Sequence, residues 1–475
     1  MTVLSKTQSL CSLCKAVIPA EVIERDAKVY LSKRCEKHGV QEVLLSSDVG
    51  WYRDVISFKP RCVKPAVVNG QNGANCPYDC GLCATHQQKV YLPVVPVTSA
   101  CNLNCPVCYT LNRNADPFHI TFTEFAGLLK QMQEMDPEMQ IINFTGGEPL
   151  MHPTFAQLVR MCHEAGIHRI TVSTNGMRFL EDEKFLEELC GLDARIVLSW
   201  NSFEARPYIE TAGENLLGAK MRILELLSRY KPTTTLLTVV GNGLNEKEIG
   251  SIVRHVMASD FIVSSEIHTI TFTGQNERRM GHELRITPPD IIAQIVRDNP
   301  WLSPQDFIPS PCAHPLCYSV CYALKFGDNQ FVPFTRLMSR QRLHELLSGQ
   351  LYLEPGPATE QIFREMIDEL WLTEEEQPAN RVILKNLRSM MDELFPAKPL
   401  EYRERQKRSE RFVKAIYIHS HMDADNFDLE RIQHCCVAVP SGDQRFIPTC
   451  AYNNHYRAQD PRFSVQQGNK ICATT

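Results

Sequence analysis

The chain has 475 residues, of which 43% are hydrophobic and 22% charged, and its 50 Lys and Arg against 55 Asp and Glu give a formal net charge of −5. This length predicts several domains, and the lack of a basic excess makes nucleic acid a poor candidate partner. The first residues form no apolar secretory segment, and no stretch approaches the roughly 18 apolar residues of a membrane span. The 19 cysteines are therefore expected to bind metals in a reducing cytoplasm rather than to form disulfides.

Two short motifs near the N-terminus have the spacing of a metal site. Cys11 and Cys14 form a C-x2-C pair, and Cys35 and His38 form a C-x2-H pair after an intervening strand-like segment. Paired knuckles at this separation are typical of one tetrahedral site. We predict a rubredoxin-like or zinc-ribbon-like domain over residues 1–60 that holds zinc or a single iron. The alternative is that these four residues are unrelated.

The loop-rich segment 61–88 contains a second cysteine motif. Its cysteines follow a C-x3-C-x2-C spacing at Cys76, Cys80 and Cys83. Because this run precedes the first strand of the α/β region that follows, we predict that it holds an auxiliary [4Fe–4S] cluster. The fourth ligand is left open among Cys62, His86 and a distant cysteine.

From residue 89 to about residue 300, β-rich and helical segments alternate regularly. The predicted strands cover residues 89–98, 141–146, 169–175, 195–201, 233–240 and 264–273. The predicted helices cover residues 122–135, 152–166, 181–192, 215–230 and 245–259, with Thr121 or Thr123 and Asn245 as N-caps. This order predicts an α/β fold with a parallel sheet and a reactive site at the carboxyl ends of the strands. Periodicity does not decide between a closed barrel and an open sheet.

The motif that decides the chemistry directly follows the first of these strands. Cys101, Cys105 and Cys108 form a C-x3-C-x2-C run in the sequence CNLNCPVCY. Three thiolates leave one iron of a [4Fe–4S] cubane without a protein ligand, and an open iron can bind a cofactor. The alternative is a structural zinc or a redox cluster.

These residues, together with Tyr109 and the sequence FTGGEP, resemble the radical S-adenosylmethionine (SAM) superfamily. The resemblance implies a partial (β/α)6 barrel over residues 89–300 and a cluster whose open iron is chelated by SAM. It also implies SAM contacts from the ends of the second, third and fourth strands. The residues concerned are Gly146, Gly147, Glu148, Pro149, Ser173, Asn175 and Ser199, and Tyr109 of the cysteine loop is a further expected cofactor contact. The expected chemistry is reductive cleavage of SAM to a 5′-deoxyadenosyl radical, with an electron from an external donor such as ferredoxin or flavodoxin.

The segment 301–475 is expected to form a C-terminal domain with a helical, charged stretch from about 338 to 413. Six of its cysteines are candidates for a second auxiliary cluster that uses some four of them. They are Cys312, Cys317, Cys321, Cys435, Cys436 and Cys450. Cys162 and Cys190 lie on apolar helix faces and are interpreted as core residues, whereas Cys472 is left unassigned.

The order of all these motifs resembles the tetraether lipid synthase branch of the superfamily and, in its first part, pterin dimethyltransferase-like proteins. One departure from the first group is Thr449, where phenylalanine is expected. The leading hypothesis is carbon–carbon bond formation on lipid acyl chains, with transient docking on the inner membrane face. The alternatives are methylation of a pterin-like small molecule and, in a different class, a pure electron-transfer protein. A long apolar tunnel would favour the lipid, and a short polar pocket with ring-stacking residues would favour the pterin.

Close to the C-terminal cysteines lie His314, His419, His421 and Asp423. They are interpreted either as partners or ligands of a metal site or as loop residues with ordinary hydrogen bonds.

Iron content tests the number of clusters. Three cubanes predict about twelve irons per chain, with zinc or one more iron at the knuckle site. Anaerobic iron and sulfide analysis after reconstitution measures this number. A content of about four irons would remove both auxiliary clusters.

Overall fold

The computed structural model describes residues 1–68, 75–327, 330–372, 378–443 and 445–464. Its N-terminal part is a four-stranded antiparallel sheet in the order β1-β2-β3-β4, followed by one helix. The elements are β1 (Thr2–Leu10), β2 (Val17–Arg25), β3 (Lys28–Cys35), β4 (Gly39–Ser46) and α1 (Val49–Ser57). Three of these strands were not predicted individually, because only the segment around β3 has a clear strand pattern.

Six parallel strands form the centre of a second, larger sheet, and each coincides with a predicted strand segment. They are β5 (Leu92–Thr98), β6 (Ile141–Gly146), β7 (Arg169–Thr174), β8 (Arg195–Ser199), β9 (Thr234–Val240) and β10 (Ile262–Thr269). The helices of this region are α2 (Phe122–Met135), α3 (Phe155–Glu164), α4 (Arg178–Glu181), α5 (Glu183–Gly191), α6 (Ala205–Ala212), α7 (Leu217–Tyr230), α8 (Ile249–Ala258), α9 (Asn276–Arg279) and α10 (Pro288–Asp298). The predicted α/β fold with a parallel sheet is confirmed.

Local chemistry explains where these helices begin. Thr121 is the N-cap of α2 and forms a full capping box with Glu124. Of the two predicted caps, Thr121 and Thr123, the first is confirmed. The predicted cap Asn245 is wrong for α8: its side chain donates to the carbonyls of Asn201 and Val239, and a 3-10 turn separates it from the helix. Cys162 is fully buried in the core and Cys190 packs against it, which confirms the core interpretation of both.

Strands from the last third of the chain extend the large sheet at both edges, which the sequence pattern did not predict. β14 pairs parallel with β10, β12 pairs antiparallel with β14, and β15 pairs parallel with β5. The strands are β11 (Ile308–Pro309), β12 (Tyr318–Gly327), β13 (Gln330–Pro333), β14 (Val413–His419), β15 (Val437–Pro440) and β16 (Phe446–Pro448). The full order is β11-β12-β14-β10-β9-β8-β7-β6-β5-β15-β16, with β13 on β12.

The remaining helices follow the predicted helical stretch and the tail. They are α11 (Arg340–Leu346), α12 (Pro357–Leu372), α13 (Pro378–Leu394), α14 (Tyr402–Ser409), α15 (Leu429–Gln433) and α16 (Thr449–Ala451). Short 3-10 turns cover Pro149–Met151, Glu246–Glu248, His282–Leu284, Pro304–Asp306 and Phe334–Arg336, and one π turn covers Tyr452–Tyr456. None of the described helices is both long enough and apolar enough to cross a bilayer.

Alternation along the central strands separates a helix-covered core from an inner face that lines a cavity. In β6, Ile142 and Phe144 point into the core and are fully buried, whereas Asn143 and Thr145 line a cavity on the other face. Since successive side chains of a strand point to opposite faces, each neighbouring strand also turns one set of side chains to the cavity, polar in β7 (Thr171 and Ser173) and largely aliphatic in β9 (Leu237 and Val239). The sheet therefore encloses a lumen rather than a second apolar layer.

A buried lysine joins the N-terminal sheet to the C-terminal region. Lys33 of β3 donates to the carbonyls of Leu10, Ala424 and Asp425 at 2.5–2.8 Å. Arg285 in turn binds the carboxylates of Asp423 and Asp425 at 3.0 Å. The segment around Asp423 therefore connects the N-terminal sheet with Arg285, and its acidic residues have a role in packing.

Two glycines allow the turn after β6 to approach the end of β5 closely. A Cβ atom on Gly146, whose φ is +144°, would lie 2.1 Å from the Thr98 carbonyl oxygen, and one on Gly147 would lie 2.1 Å from that of Ala100. Because no side chain intervenes, the Gly147 amide donates to the Thr98 carbonyl and the Glu148 amide donates to the Ala100 carbonyl. The close approach fixes this turn against the cysteine loop that begins at Cys101.

Replacement of Gly147 tests this contact. Gly147→Ala is expected to lower the free energy of unfolding by about 1–3 kcal/mol, because backbone atoms must move apart. The matched control is Gly127→Ala in α2, where an added Cβ meets nothing within 4 Å and should raise stability by about 0.5–1 kcal/mol. Unfolding followed by circular dichroism measures both. A Gly147→Ala protein as stable as wild type would contradict the role of this approach.

Candidate functional site

One cavity of about 280 Å³ runs along the inner face of the sheet, from the carboxyl ends of the parallel strands at Ser199 to their amino ends at Arg169 and Arg195. Nine of the eleven residues predicted to bind the cluster or SAM line it, among them Cys101, Cys105, Cys108 and Tyr109. Gly146 and Pro149 do not line the cavity; they belong to the turn that supports it. The site thus lies at the edge of the sheet where the sequence predicted it.

The cysteine loop is held by backbone hydrogen bonds and is chemically suited to a cluster. The Cys101 amide donates to Asn114 at 2.8 Å, and the Cys108 amide donates to the Cys105 carbonyl at 3.1 Å. Burial raises the pKa of both the Cys101 and the Cys105 thiol to about 12, and the neighbouring thiolates add to this. Such thiols ionise only beside a strong positive charge, which the irons of a cubane supply when bound.

Glu148 organises the strand ends rather than projecting freely. It is 3% exposed, and its carboxylate accepts from the Thr174 hydroxyl at 2.6 Å and from the Asn175 and Leu150 amides at 2.7 and 3.1 Å. Burial raises its pKa despite these bonds. Glu148 therefore joins the turn after β6 to the end of β7.

Lys220 of α7 is a functional residue that the sequence analysis missed. It is 2% exposed, and its ammonium donates to the Asn175 carbonyl and to the carbonyl and hydroxyl of Ser199 at 2.7–2.8 Å. Burial lowers its pKa to about 8, opposed by the nearby Glu148 and Cys105. A signal was available in the sequence, because Lys220 shares its helix face with Ile223, Leu224 and Leu227.

The remaining predicted contacts form a network around the same strand ends. The Asn175 side chain donates to Asn102 in the cysteine loop at 2.7 Å, and the Ser173 hydroxyl donates to Asn143 at 3.1 Å. Tyr109 stacks on His421, with ring centroids 5.4 Å apart and an interplanar angle of 23°. The cysteine loop, β7 and the segment after β14 are thereby held together.

Beyond the cysteine loop, the lumen has walls of polar side chains, aromatic rings and aliphatic side chains such as Leu237 and Val239. Polar side chains of β7, β9 and β10 line it, including Thr171, Thr235 and Glu266. Rings of Tyr318, Tyr352 and Tyr417 line the wall opposite, and the Arg169 guanidinium lies 4.1 Å from the Tyr352 ring centroid. Arg195, at the start of β8, forms an ion pair with Glu410.

The predicted knuckle residues converge on one point. The ligand atoms of Cys11, Cys14, Cys35 and His38 all lie within 4.8 Å of one another. Burial would raise the pKa of Cys11, but hydrogen bonds from the backbone of Cys14 and Leu13 and from Gln41 lower it to about 6. These residues fit a single tetrahedral metal ion, as the spacing predicts.

The predicted auxiliary motif is anchored by the C-terminal tail. The Tyr456 hydroxyl accepts from the Cys80 amide at 2.8 Å, and burial together with the charges of Cys76, Cys83 and Cys435 raises the pKa of Cys80. Cys435 is a distant cysteine whose charge acts on Cys80, and the choice of fourth ligand among Cys62, His86 and a distant cysteine stays a prediction. Nε2 of His86 donates to the Cys435 carbonyl at 2.8 Å, and Sγ of Cys62 lies 3.8 Å from Nε2 of His434.

The structure brings together only part of the second predicted cysteine set. Burial and the charges of Cys450 and Cys317 raise the pKa of Cys435, and Cys436 lies close to Cys435, Cys312 and Cys317. Cys321 is a correction: its charged neighbours are Asp306 and Arg336, and it is buried in the core. The reason is that successive side chains of β12 point to opposite faces, so Cys321 points away from the face that carries Tyr318.

Comparisons with known proteins agree with this geometry. The Radical SAM superfamily model matches residues 95–256, and the model of the HMPTM N-terminal zinc ribbon domain matches residues 3–47. A 7,8-dihydro-6-hydroxymethylpterin dimethyltransferase from Methanocaldococcus jannaschii is 26% identical, over 97% of this chain and 96% of its own length. A GTP 3′,8-cyclase from Chlorobaculum tepidum is 29% identical over 36% of this chain and 51% of its own length. The structure of the FeFe-hydrogenase maturase HydG from Carboxydothermus hydrogenoformans aligns over 68% of this chain and 82% of its own with a TM-score of 0.39 and 12% identity.

Lys220→Met tests the network beneath the cysteine loop. Loss of the ammonium removes three charge-assisted hydrogen bonds, so the dissociation constant for SAM is expected to rise about 10- to 100-fold. Equilibrium dialysis of the cluster-loaded enzyme measures it. The matched control is Lys414→Met, a buried lysine that donates to the carbonyls of Ser259 and Ile262 but does not line the cavity. This control should lose stability without losing SAM affinity, and equal losses of affinity in both variants would contradict the assignment.

Proposed function

Since this chain is a radical SAM enzyme that binds SAM and [4Fe–4S] clusters, we propose that it transfers a methyl group to a carbon of a pterin-like small molecule. The proposal draws on two independent sources, the similarity to a relative along nearly the whole chain and the chemistry of the lumen. It favours the alternative of the sequence analysis over the lipid hypothesis.

The lumen is the observation that carries the proposal. Its walls offer hydroxyl, carboxylate and imidazole groups beside several aromatic rings, among them Glu266, His268 and Tyr318. A pterin presents ring donors and acceptors that need such partners, because buried polar groups without partners cost about 1–3 kcal/mol each. Aromatic rings nearby favour stacked or edge-to-face packing of a flat heterocycle.

The similarity to the pterin dimethyltransferase supports the same substrate class. At 26% identity it extends over 97% of this chain, so it includes the cysteine-rich extensions as well as the central sheet. The match to the HMPTM zinc ribbon adds the N-terminal sheet to this correspondence. Similarity to the GTP cyclase covers a much smaller part and supports the central region alone.

Each residue of the site has a role in this proposal. When bound, the cluster and SAM supply a 5′-deoxyadenosyl radical after one electron arrives from an external donor of the ferredoxin or flavodoxin class. Cys101, Cys105 and Cys108 would hold the cluster, and the turn at Gly147 with Glu148 would orient SAM. Tyr109 would keep the cysteine loop packed on the lumen and exclude water from it.

The proposal also includes the SAM contacts, the domain limits and the ligands of the auxiliary clusters. Ser173, Asn175 and Ser199 would face the ribose and carboxylate of SAM, and the division at residues 60, 88 and 300 would separate the metal-binding extensions from the catalytic region. The cysteines at 76, 80 and 83 with Cys435 would hold one auxiliary cluster. Cys317 and Cys450 would contribute to another.

The lumen does not have the uniformly apolar lining that a lipid tunnel needs, and its aliphatic part, which includes Leu237, Val239 and Val263, suits a hydrocarbon chain as well as a flat ring. Hydrocarbon has no polar handle, so only burial and shape could position its carbons, whereas the inner faces of β6, β7 and β10 are polar. Docking on a membrane surface belongs to the lipid hypothesis and is not required for a pterin. The cysteine framework alone is compatible with either substrate.

Substrate identity is tested with reduced, cluster-loaded enzyme. Incubation with an excess of SAM, a reductant that supplies two electrons per turnover and a 6-substituted dihydropterin is expected to consume two SAM molecules. One gives 5′-deoxyadenosine and methionine, and the second gives its methyl group to the pterin and leaves as S-adenosylhomocysteine, with all products measured by mass spectrometry. The inactive control replaces Cys101, Cys105 and Cys108 by Ala and should form neither 5′-deoxyadenosine nor methylated pterin. The matched control Cys162→Ala removes a core cysteine outside the site and should retain both.

A parallel incubation offers a deuterated acyl lipid in place of the pterin. Deuterium in 5′-deoxyadenosine from the lipid, with no methylation of the pterin, would replace the proposed function by the lipid hypothesis.

A further inference from the structure

Three histidines meet at the wall of the lumen next to the cysteine loop. His268 lies in β10, His419 ends β14, and His421 follows two residues later. Their ligand nitrogens all lie within 4.8 Å of one another. The ring centroids of His419 and His421 are 4.0 Å apart, and those of His268 are 5.2 and 5.1 Å from them.

We propose that His268, His419 and His421 bind a divalent transition-metal ion that is separate from the iron–sulfur clusters and from the knuckle site. Three neutral imidazoles are a ligand set that suits Zn²⁺ or Fe²⁺. Three protein ligands leave a coordination position open, and open positions are typical of metal ions that bind a reactant. Since all three histidines line the lumen, that position faces it.

Strand register places these residues together. β10 and β14 pair in parallel, and His268 and His419 are direct partners in that register. His421 lies two residues beyond His419, and its ring is stacked against Tyr109. Tyr318 of β12 packs edge-on against His419 at 4.7 Å, so aromatic rings hold the cluster from both sides. The arrangement is thus built by the sheet and not by a flexible loop.

Glu266 supplies the partner that a metal-binding histidine needs. Its carboxylate lies 2.9 Å from Nε2 of His268 on the same strand face. A neutral His268 that donates from Nε2 leaves the lone pair of Nδ1 free for a metal ion. A carboxylate that fixes the tautomer in this way is a recurrent feature of histidine-ligated metal sites.

His421 carries an unsatisfied polar atom. It is 7% exposed, and its Nε2 has no hydrogen-bond partner within the ranges of the chain that the structure describes. Its other nitrogen, Nδ1, lies 3.8 Å from Sγ of Cys450. Because buried polar atoms are rarely left unpaired, an atom of this kind in a polar lumen indicates a ligand.

The experiment uses enzyme with its clusters reconstituted and its knuckle site filled with zinc, and Co²⁺ is the probe. Wild type is expected to bind one further equivalent of Co²⁺, with the weak visible absorption of nitrogen and oxygen ligation and without sulfur charge transfer. The double variant with His268→Gln and His421→Gln should lose this equivalent while it keeps its iron content. His344→Gln, a buried histidine outside the lumen, is the matched control and should bind as wild type.

A second variant protects the test against misfolding. Glu266→Gln keeps all three ligands and should weaken Co²⁺ binding about 10- to 100-fold, as loss of such a partner typically does. The proposal is overturned if wild type binds no additional Co²⁺ or if the bound Co²⁺ shows sulfur charge transfer. It is also overturned if the double variant binds as wild type, or if that variant loses cluster iron together with Co²⁺.

Discussion

The parallel pairing of β14 with β10 is the constraint on which the site depends. Five consecutive residue pairs, from Ser264 with Ala415 to His268 with His419, fix the register between strands that lie about 150 residues apart in the chain. A slip by one residue would turn every side chain of β14 to the opposite face of the sheet. Tyr417 and His419 would then leave the lumen, and the wall that β14 contributes to it would be lost.

Backbone proximity complements this register on the other side of the site. The turn after β6 can reach the end of β5 because Gly146 and Gly147 have no side chains, and Glu148 then fastens the end of β7. Lys220 fastens the next pair of strand ends, because its ammonium donates to one carbonyl after β7 and to one at the end of β8. The strand ends are held by short, charge-assisted or backbone hydrogen bonds, so the cysteine loop rests on a rigid base.

Much of this arrangement could be predicted from local sequence, and the rest could not, for physical reasons. Strands β5 to β10 are short runs rich in β-branched residues between helical segments, and the spacing of Cys101, Cys105 and Cys108 or of Cys11 and Cys14 reflects ligand geometry within a single loop. β14 was missed because its partner is distant and its neighbours are highly charged, so no local signal marks it as a sheet strand. The meeting of His268 with His419 follows from that pairing alone. Cys321 was misjudged because cysteine spacing carries no information about which face of a strand a thiol occupies.

The last strands of the large sheet determine when the site becomes enclosed during synthesis and folding. β14 adds to one edge of the large sheet and β15 adds to the other, next to β5. Both are synthesised after the whole central region, and non-local pairings of this kind form late because distant segments must first meet. A nascent or truncated chain that ends before residue 413 therefore has its cysteine loop but not the wall that encloses it. An enclosed site therefore forms only after β14 and β15 have been synthesised and have paired with the central strands.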